Sequence, residues 1–95
     1  MNVNSLHTQN KKVSTQNLFK GEIGSATAIQ LLKSGILKEH ISKTPAIILC
    51  INGKTVYEDE TGKKVSIESG DYVDIVPNLK QWLEGLEDSN LVLLK

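Results

Sequence analysis

Short runs of alternating apolar and polar residues, separated by turn residues, fill most of the chain. The clearest is 64–68, where Val65 and Ile67 are flanked by polar residues. Alternation with a period of two puts neighbouring side chains on opposite faces, so it predicts half-buried β-strands. The run 26–33 would also permit a helix, but Gly35 interrupts it. The predicted strands span residues 13–19, 26–33, 36–42, 46–51, 54–58, 64–68, 72–76, 81–86 and 91–94.

Many short strands at a spacing of roughly ten residues are typical of an antiparallel sandwich or barrel. The turn signals between them add two local predictions. Asn52-Gly53 favours a type I′ turn, in which both central residues take positive φ, and so predicts that 46–51 pairs antiparallel with 54–58. The segment 59–62 predicts a second hairpin. Its charged neighbours Glu58-Asp59-Glu60 and Lys63-Lys64 are expected to face water.

Composition limits the class of protein. Ninety-five residues form one domain with one core, and the 11 basic residues balance the 11 acidic ones. Without a basic patch, neither nucleic acid nor an anionic membrane is an expected partner. The chain lacks an apolar run that could span a bilayer, so a cytoplasmic protein is expected. Residues 1–12 are polar and predict a flexible arm, followed by a barrel domain over 13–95.

The run from Ser69 to Asn78, a Gly-Asp turn and a short strand that stops at Pro77, resembles the second signature of the cupin superfamily. His40-Ile41-Ser42, three residues, Ala46, six residues and Gly53 also resemble the downstream part of the first cupin signature. The similarity covers about residues 18–94. It implies an all-β fold, a single-domain antiparallel jelly-roll barrel. Two spacings depart from the pattern, since Gly35 precedes His40 by one residue too few and the segment from Gly70 to Pro77 holds one residue too many.

The resemblance also implies four positions for metal ligands, which in cupins are three histidines and one carboxylate. Here they are His40, Ser42, Ala46 and a fourth residue, which is Gln81 when counted from Gly70 and Trp82 when counted from Pro77. We prefer Gln81, because an aromatic residue often follows the last histidine of the family. Only His40 is a strong ligand, so we expect neither a bound metal nor another cofactor. His7 lies in the polar arm, where a solvated side chain is the expected reading.

Alternation along 46–51 defines two faces. If Ala46 faces the barrel interior, Ile48 and Cys50 do so too, and a lone buried cysteine behaves as a small apolar residue. The predicted interior is therefore a small, mostly apolar pocket for a small molecule. Its candidate residues are His40, Ser42, Ala46, Ile48, Cys50, Gln81 and Trp82.

The opposite face of the same strand carries Ile47, Leu49 and Ile51. Apolar side chains on an outer face need a cover, and a second copy of the chain is the preferred one. Burial beneath the N-terminal arm is the alternative. This face therefore predicts a homodimer.

Three functions follow from the sequence. The leading one is a cupin-like protein that binds a small molecule without a metal, with His40 and Gln81 as its polar contacts. The first alternative is an enzyme, either metal-free and isomerase- or epimerase-like or metal-dependent with altered ligands, in which His40 acts as a base beside Asp71 or Asp74. The second alternative is a structural or interaction module that acts as a dimer.

Overall fold

The computed structural model of the chain describes residues 1–7 and 10–95, apart from the side chains of Glu39 and His40. Nine strands run through this part of the chain, and they match the nine predicted segments with end points that differ by a few residues. They are β1 (Val13–Lys20), β2 (Ser25–Leu31), β3 (Ile36–Ile41), β4 (Ala46–Asn52), β5 (Lys54–Asp59), β6 (Lys64–Glu68), β7 (Tyr72–Ile75), β8 (Lys80–Gly85) and β9 (Ser89–Leu94).

The strands form two antiparallel sheets. The five-stranded sheet has the order β1-β2-β9-β4-β7, and the four-stranded sheet has the order β3-β8-β5-β6. Apart from the pairs β1-β2 and β5-β6, neighbours in each sheet are not consecutive in the chain, so the connections cross between the sheets as in a jelly roll. The prediction of an all-β antiparallel barrel is confirmed.

The core lies between the inner faces of the two sheets. Along β4, Ala46, Ile48 and Cys50 are buried while Ile47 and Leu49 between them are half-buried. β2 and the strands from β4 to β9 contribute buried residues to this core, and burying a large apolar side chain stabilises the fold by about 1.5–3 kcal/mol. The core cluster consists of Ile29, Leu31, Ala46, Ile48, Cys50, Tyr57, Ile67, Val73, Ile75, Leu83 and Leu91.

The predicted hairpin at Asn52-Gly53 is wrong. β4 pairs with β7 and β9 in one sheet, and β5 pairs with β6 and β8 in the other, so the turn carries the chain between sheets. Gly53 has φ +91°, and a Cβ there would come within 2.4 Å of the Asp88 carbonyl oxygen. Ser89 Oγ accepts a hydrogen bond from Lys54 N at 3.0 Å, which holds the first residue of β5 against β9. Glycine is therefore needed for a close approach to a neighbouring strand as well as for its backbone angle.

The second predicted hairpin is confirmed, since β5 pairs with β6 across residues 59–63. Asp59 N donates to the Lys63 carbonyl oxygen and Gly62 N donates to the Asp59 carbonyl oxygen, both at 3.1 Å. Gly62 takes a φ of +91°, which an L side chain rarely adopts. The turn is thus closed by its own backbone.

The N-terminal segment begins with a short 3-10 turn over Val3–Ser5 and lies against the five-stranded sheet. Asn4 Oδ1 accepts hydrogen bonds from the side-chain amides of Asn52 and of Asn90. His7 Nδ1 lies 2.9 Å from Ser14 Oγ, and partial burial lowers the pKa of this imidazole. His7 is therefore half-buried rather than solvated, while the predicted flexibility of residues 1–12 stays a prediction.

Within the described residues, no helix has the length and apolar character needed to cross a membrane.

Candidate functional site

A polar pair lies at one end of the mostly apolar interior. Asp59 on β5 is directly opposite Gln81 on β8, and cross-strand partners share a face of the sheet. Gln81 is 2% exposed and Asp59 5% exposed, so both face inward. On its other side, Gln81 pairs with the backbone of His40 on β3. The side chain of His40 lies outside the described residues, and its role in the pocket stays a prediction.

Asp59 accepts hydrogen bonds from three donors. Thr61 donates through Oγ1 at 2.5 Å and through its backbone N–H at 2.9 Å, and the Tyr57 hydroxyl donates at 3.0 Å. The Thr61 hydroxyl is the largest cause that lowers the pKa of the Asp59 carboxyl, against the opposing effect of burial. Asp59 is therefore a fixed negative charge near neutral pH, inside the end of the barrel.

Tyr57 is two residues before Asp59 on the same inner face of β5. Burial, followed by its hydrogen bond to Asp59 and the charge of that carboxylate, raises the pKa of Tyr57 to about 12. The phenol thus stays protonated near neutral pH and acts as a donor. Lys63 Nζ lies 5.9 Å from the centre of the Tyr57 ring, which is a cation–π distance.

The opposite wall of the interior is apolar. Ala46, Ile48 and Cys50 from β4 face it, and Val73 and Ile75 from β7 pair with the first two. Burial is the largest cause that raises the pKa of the Cys50 thiol to about 11, and its Sγ lies 3.4 Å from the Asn52 carbonyl oxygen. Cys50 is therefore a protonated, buried thiol near neutral pH, which suits packing and not nucleophilic or metal chemistry.

The residues at the cupin ligand positions do not fit a metal. Ser42 is buried, but its hydroxyl donates to the Thr44 carbonyl oxygen at 2.7 Å and thus caps a local turn. Ala46 offers no ligand atom, and Gln81 offers a neutral amide, a weak ligand for transition metals. Across the described residues, no group of three or more His, Cys, Asp or Glu side chains could hold a metal ion.

Trp82 does not line the interior. It pairs with Glu58 on the outer face of the four-stranded sheet, whereas Gln81 and Leu83 on either side of it are buried. Of the two candidates for the fourth ligand position, Gln81 is therefore the one that faces inward, because residues one apart on a strand face opposite ways. The two aspartates considered as partners of His40 also lie elsewhere. The Asp71 carboxylate accepts a hydrogen bond from Glu68 N at 2.9 Å in a turn. Asp74, on β7, is exposed and pairs with Ile47 of β4.

A groove of about 580 Å³ opens between β1 and β2 of one sheet and β3 of the other. Leu37 forms its β3 side and pairs with Leu83, which is two residues from Gln81 on the same face of β8. Two residues of a strand span about 7 Å, so the groove lies close to the polar pair. Its lining residues are Val13, Thr15, Thr27, Ile29, Ile36, Leu37, Lys38 and Leu93.

Sequence reasoning missed Asp59 and Tyr57. Asp59 was grouped with Glu58 and Glu60 as a charged hairpin tip, yet it is buried whereas Glu60 is exposed. The available signal was the alternation of β5, in which Thr55, Tyr57 and Asp59 share one face. The run of acidic residues favoured the prediction of exposure instead, because three acidic residues in succession usually face water.

Two of the three dimer-face candidates, Ile47 and Leu49, lie together on the outer face of the five-stranded sheet, and Ile51 lies at an irregularity of β4 between Cys50 and Asn52. Ile47, Leu49 and Ile51 are each half-buried, while Ile48 and Cys50 are buried in the interior. Asp74 and Tyr72 of β7 pair with Ile47 and Leu49 on one side, and Leu94 and Val92 of β9 pair with them on the other.

Known structures share this arrangement of strands over nearly the whole chain. A cupin superfamily protein from Desulfitobacterium hafniense DCB-2 matches 98% of this chain and 84% of its own, with a TM-score of 0.86 and 10% identity. The protein has the cupin fold.

Two further comparisons agree. An RmlC-like cupin protein from Desulfovibrio desulfuricans has a TM-score of 0.83 at 8% identity, over 95% of this chain and 87% of its own. KdgF from a Halomonas species has a TM-score of 0.80 at 18% identity, over 87% and 76% of the two chains. No family model and no curated protein matches the sequence. At these identities the similarity shows the fold alone, and function must be argued from the site.

Proposed function

We propose that this cupin-fold protein binds a small, mostly apolar molecule inside its barrel, without a metal. The buried polar pair Gln81 and Asp59 is the observation that carries the proposal. A binding pocket typically combines apolar walls with a few polar groups that orient the ligand. The ligand would enter from the groove beside Leu37 and place a hydrogen-bonding group against Gln81, with His40 as a further predicted contact.

The charge of Asp59 narrows the ligand chemistry. A carboxylate inside the barrel attracts a donor and repels an anion, since like charges in a poorly hydrated site are costly. We therefore infer a neutral or cationic ligand with at least one N–H or O–H donor. Acidic metabolites are expected to bind poorly.

A thermal-shift screen of neutral, cationic and anionic metabolites tests this proposal. At a ligand concentration of 100 times Kd, binding to the folded state raises its stability by about 2.7 kcal/mol. The variant Gln81→Met keeps the side-chain volume and removes the amide, so we expect it to weaken binding at least tenfold. Gln16→Met, at an exposed position of β1, is the matched control and should bind as the wild type does. A panel in which no compound stabilises the wild type, or in which both variants bind equally, would contradict the proposal.

An enzyme that works without a metal is the second candidate, favoured by the hydrogen-bonded pair of Tyr57 and Asp59. A protonated phenol beside a charged carboxylate can hold and transfer a proton during isomerisation or epimerisation of a ligand. Loss of turnover in Tyr57→Phe, with ligand affinity retained, would separate this candidate from simple binding. A ligand that binds but is never converted would leave binding as the function.

We also propose that the protein is a homodimer that uses the outer face of the five-stranded sheet, with Ile47 and Leu49 in the contact. The half-buried apolar side chains of this face support the proposal, and sedimentation of the full chain tests it. If the protein is only an interaction module, it should form the same dimer and bind no small molecule. A cytoplasmic location stays a prediction.

A further inference from the structure

Each sheet ends in two edge strands, and three of these four edges carry features that discourage a further strand from pairing. β7 is four residues long and includes Asp74. On β6, Lys64 and Glu68 stand at the two ends and form salt bridges with β5. The register of β3 is irregular between Leu37 and His40. Short, charged or irregular edges are how sheets avoid pairing with other chains.

The fourth edge strand, β1, lacks these features over most of its length. It has eight residues, Val13–Lys20, and none of residues 13–19 is charged. Its register with β2 is regular from Val13 to Asn17 and shifts only beyond that point. Among the described residues, the backbone of β1 is hydrogen-bonded to no strand other than β2. A row of backbone N–H and C=O groups is therefore open to a further strand.

The exposure of β1 agrees with an open edge. Thr15 is exposed, whereas Ile29, its direct partner on β2, is 2% exposed. The N-terminal segment approaches the outer face of the sheet instead, where His7 Nδ1 lies 2.9 Å from Ser14 Oγ. The inner face of the five-stranded sheet thus opens to solvent at β1.

The groove of about 580 Å³ between β1 and β3 lies directly beside this edge. Val13 and Thr15 form its β1 side, and Ile36 and Leu37 belong to its β3 side. A strand added to β1 would lie about 4.8 Å from it and would direct alternate side chains into the groove. Backbone hydrogen bonds to an edge and pockets for alternate side chains are the two components of peptide binding by strand addition.

The lining of the groove specifies the chemistry of the added strand. Among the described lining residues, Lys38 is the one that carries a charge, and most of the others are apolar. Apolar side chains at every second position therefore fit the groove, and an acidic residue suits the Lys38 side better than a basic one. Ile36 is 53% exposed, and its burial beneath such a strand would favour binding.

A second copy of the chain does not supply this chemistry through its own β1. The side chains that β1 directs to the inner face are Val13, Thr15 and Asn17, of which only Val13 is apolar. The charged residue of β1 is Lys20, which would add to the positive charge of Lys38. A different chain is the better occupant.

We propose that β1 and the adjoining groove form a docking site for an extended segment of another protein, with apolar residues at alternate positions and acidic residues at its ends. The segment would extend the five-stranded sheet beyond β1. This site is separate from the barrel interior and from the outer face of the sheet, so it goes beyond the functions proposed above. Because the groove is also the proposed entrance to the interior, a docked segment would close that entrance.

Synthetic peptides test the docking site by fluorescence anisotropy on the full chain. The probe alternates valine and threonine and carries glutamate at both ends. Proline in place of its central residue removes an N–H and interrupts the ladder, so the Kd should rise about tenfold or more. Lysine at both ends should raise the Kd about threefold or more, because it brings positive charge to Lys38. In the complex with the probe, hydrogen exchange of alternate backbone amides in residues 13–17 should slow about tenfold or more.

A matched pair of variants locates the site on the chain. Thr15→Glu puts a carboxylate where the added strand would cover it, so the Kd of the probe should rise about tenfold or more. Ser66→Glu places the same charge on an exposed position of the edge strand β6. This control should bind the probe within about twofold of the wild type, because its charge stays in water.

Four results would overturn the inference. They are no binding of the probe at millimolar concentration, equal binding of the proline peptide, equal effects of the two variants, and tighter binding of the lysine peptide. Sedimentation in which Thr15→Glu dissociates a dimer would assign the edge to a second copy and overturn it as well. None of these measurements uses a small-molecule ligand, so their failure would leave the proposed binding function untouched.

Discussion

The outer faces of the two sheets differ more than their inner faces, which are both mostly apolar. On the four-stranded sheet, Lys54 and Glu68 lie 3.8 Å apart across β5 and β6, and Glu58 and Lys64 lie 3.9 Å apart. On the five-stranded sheet, the corresponding positions of β4 and β9 carry Ile47, Leu49, Val92 and Leu94. One outer face is thus suited to water, and the other needs a cover.

The difference between the two outer faces indicates which residues determine the partners of the protein. Alternation on an inner face only requires that each second residue be apolar, and both sheets satisfy this apart from buried polar residues such as Asp59 and Gln81 on the four-stranded one. The residues between them are free to vary, and they decide what the protein meets. The cupin fold is shared with proteins of 8–18% identity, so the fold by itself does not determine what the outer faces carry.

Substitutions on the inner faces should have the largest effect on stability. A matched pair, one on each sheet, should lower the free energy of unfolding equally. Leu91→Ala in the five-stranded sheet and Leu83→Ala in the four-stranded sheet each remove a fully buried leucine. We expect each to lower the free energy of unfolding by about 2–5 kcal/mol through lost contacts and a residual cavity. Urea denaturation followed by circular dichroism measures both. A loss below about 1 kcal/mol at only one site would show that the core belongs mainly to one sheet.

The outer faces should respond unequally to the same substitution. Ile47→Lys places a charge in the proposed dimer contact and should raise the dimer Kd about 100-fold, since burying an unpaired ammonium is costly. Val56→Lys, at a half-buried outer position of β5 opposite Glu84, is the matched control and should leave the Kd within about twofold. Sedimentation equilibrium measures both variants. Equal effects would remove the distinction between the two outer faces.

The smallest expected effect compares an inward carboxylate with an outward one. The folded state lowers the pKa of Asp59, so its stabilising effect is present above the unfolded value of about 3.9 and is lost as the pH falls through the lower folded value. The unfolding free energy of the wild type should therefore fall below about pH 4. Asp59→Asn should flatten this acid slope, whereas Glu84→Gln on the outer face should not. Urea midpoints measured from pH 2 to pH 7 give the slopes, and equal slopes in all three proteins would contradict the role of Asp59.

The sequence by itself determined the strands and the inward residues of β4. Nine segments of alternating residues became nine strands, and the alternation of 46–51 correctly separated Ala46, Ile48 and Cys50 from Ile47 and Leu49. These features follow from the two-residue repeat of a strand, which is a local property of the backbone. The turn after β5 was predictable for the same reason, because its hydrogen bonds link residues only a few positions apart.

Only the tertiary structure decided where each strand pairs and what each face meets. Asn52-Gly53 has the composition of a hairpin turn, yet contacts with Asp88 and Ser89, about 35 residues away in the chain, make it a crossing between sheets. Asp59 is buried because Tyr57 and Thr61 satisfy its carboxylate, although its acidic neighbours predicted exposure. Pairing and burial depend on residues that are distant in sequence, and local patterns carry no record of those contacts.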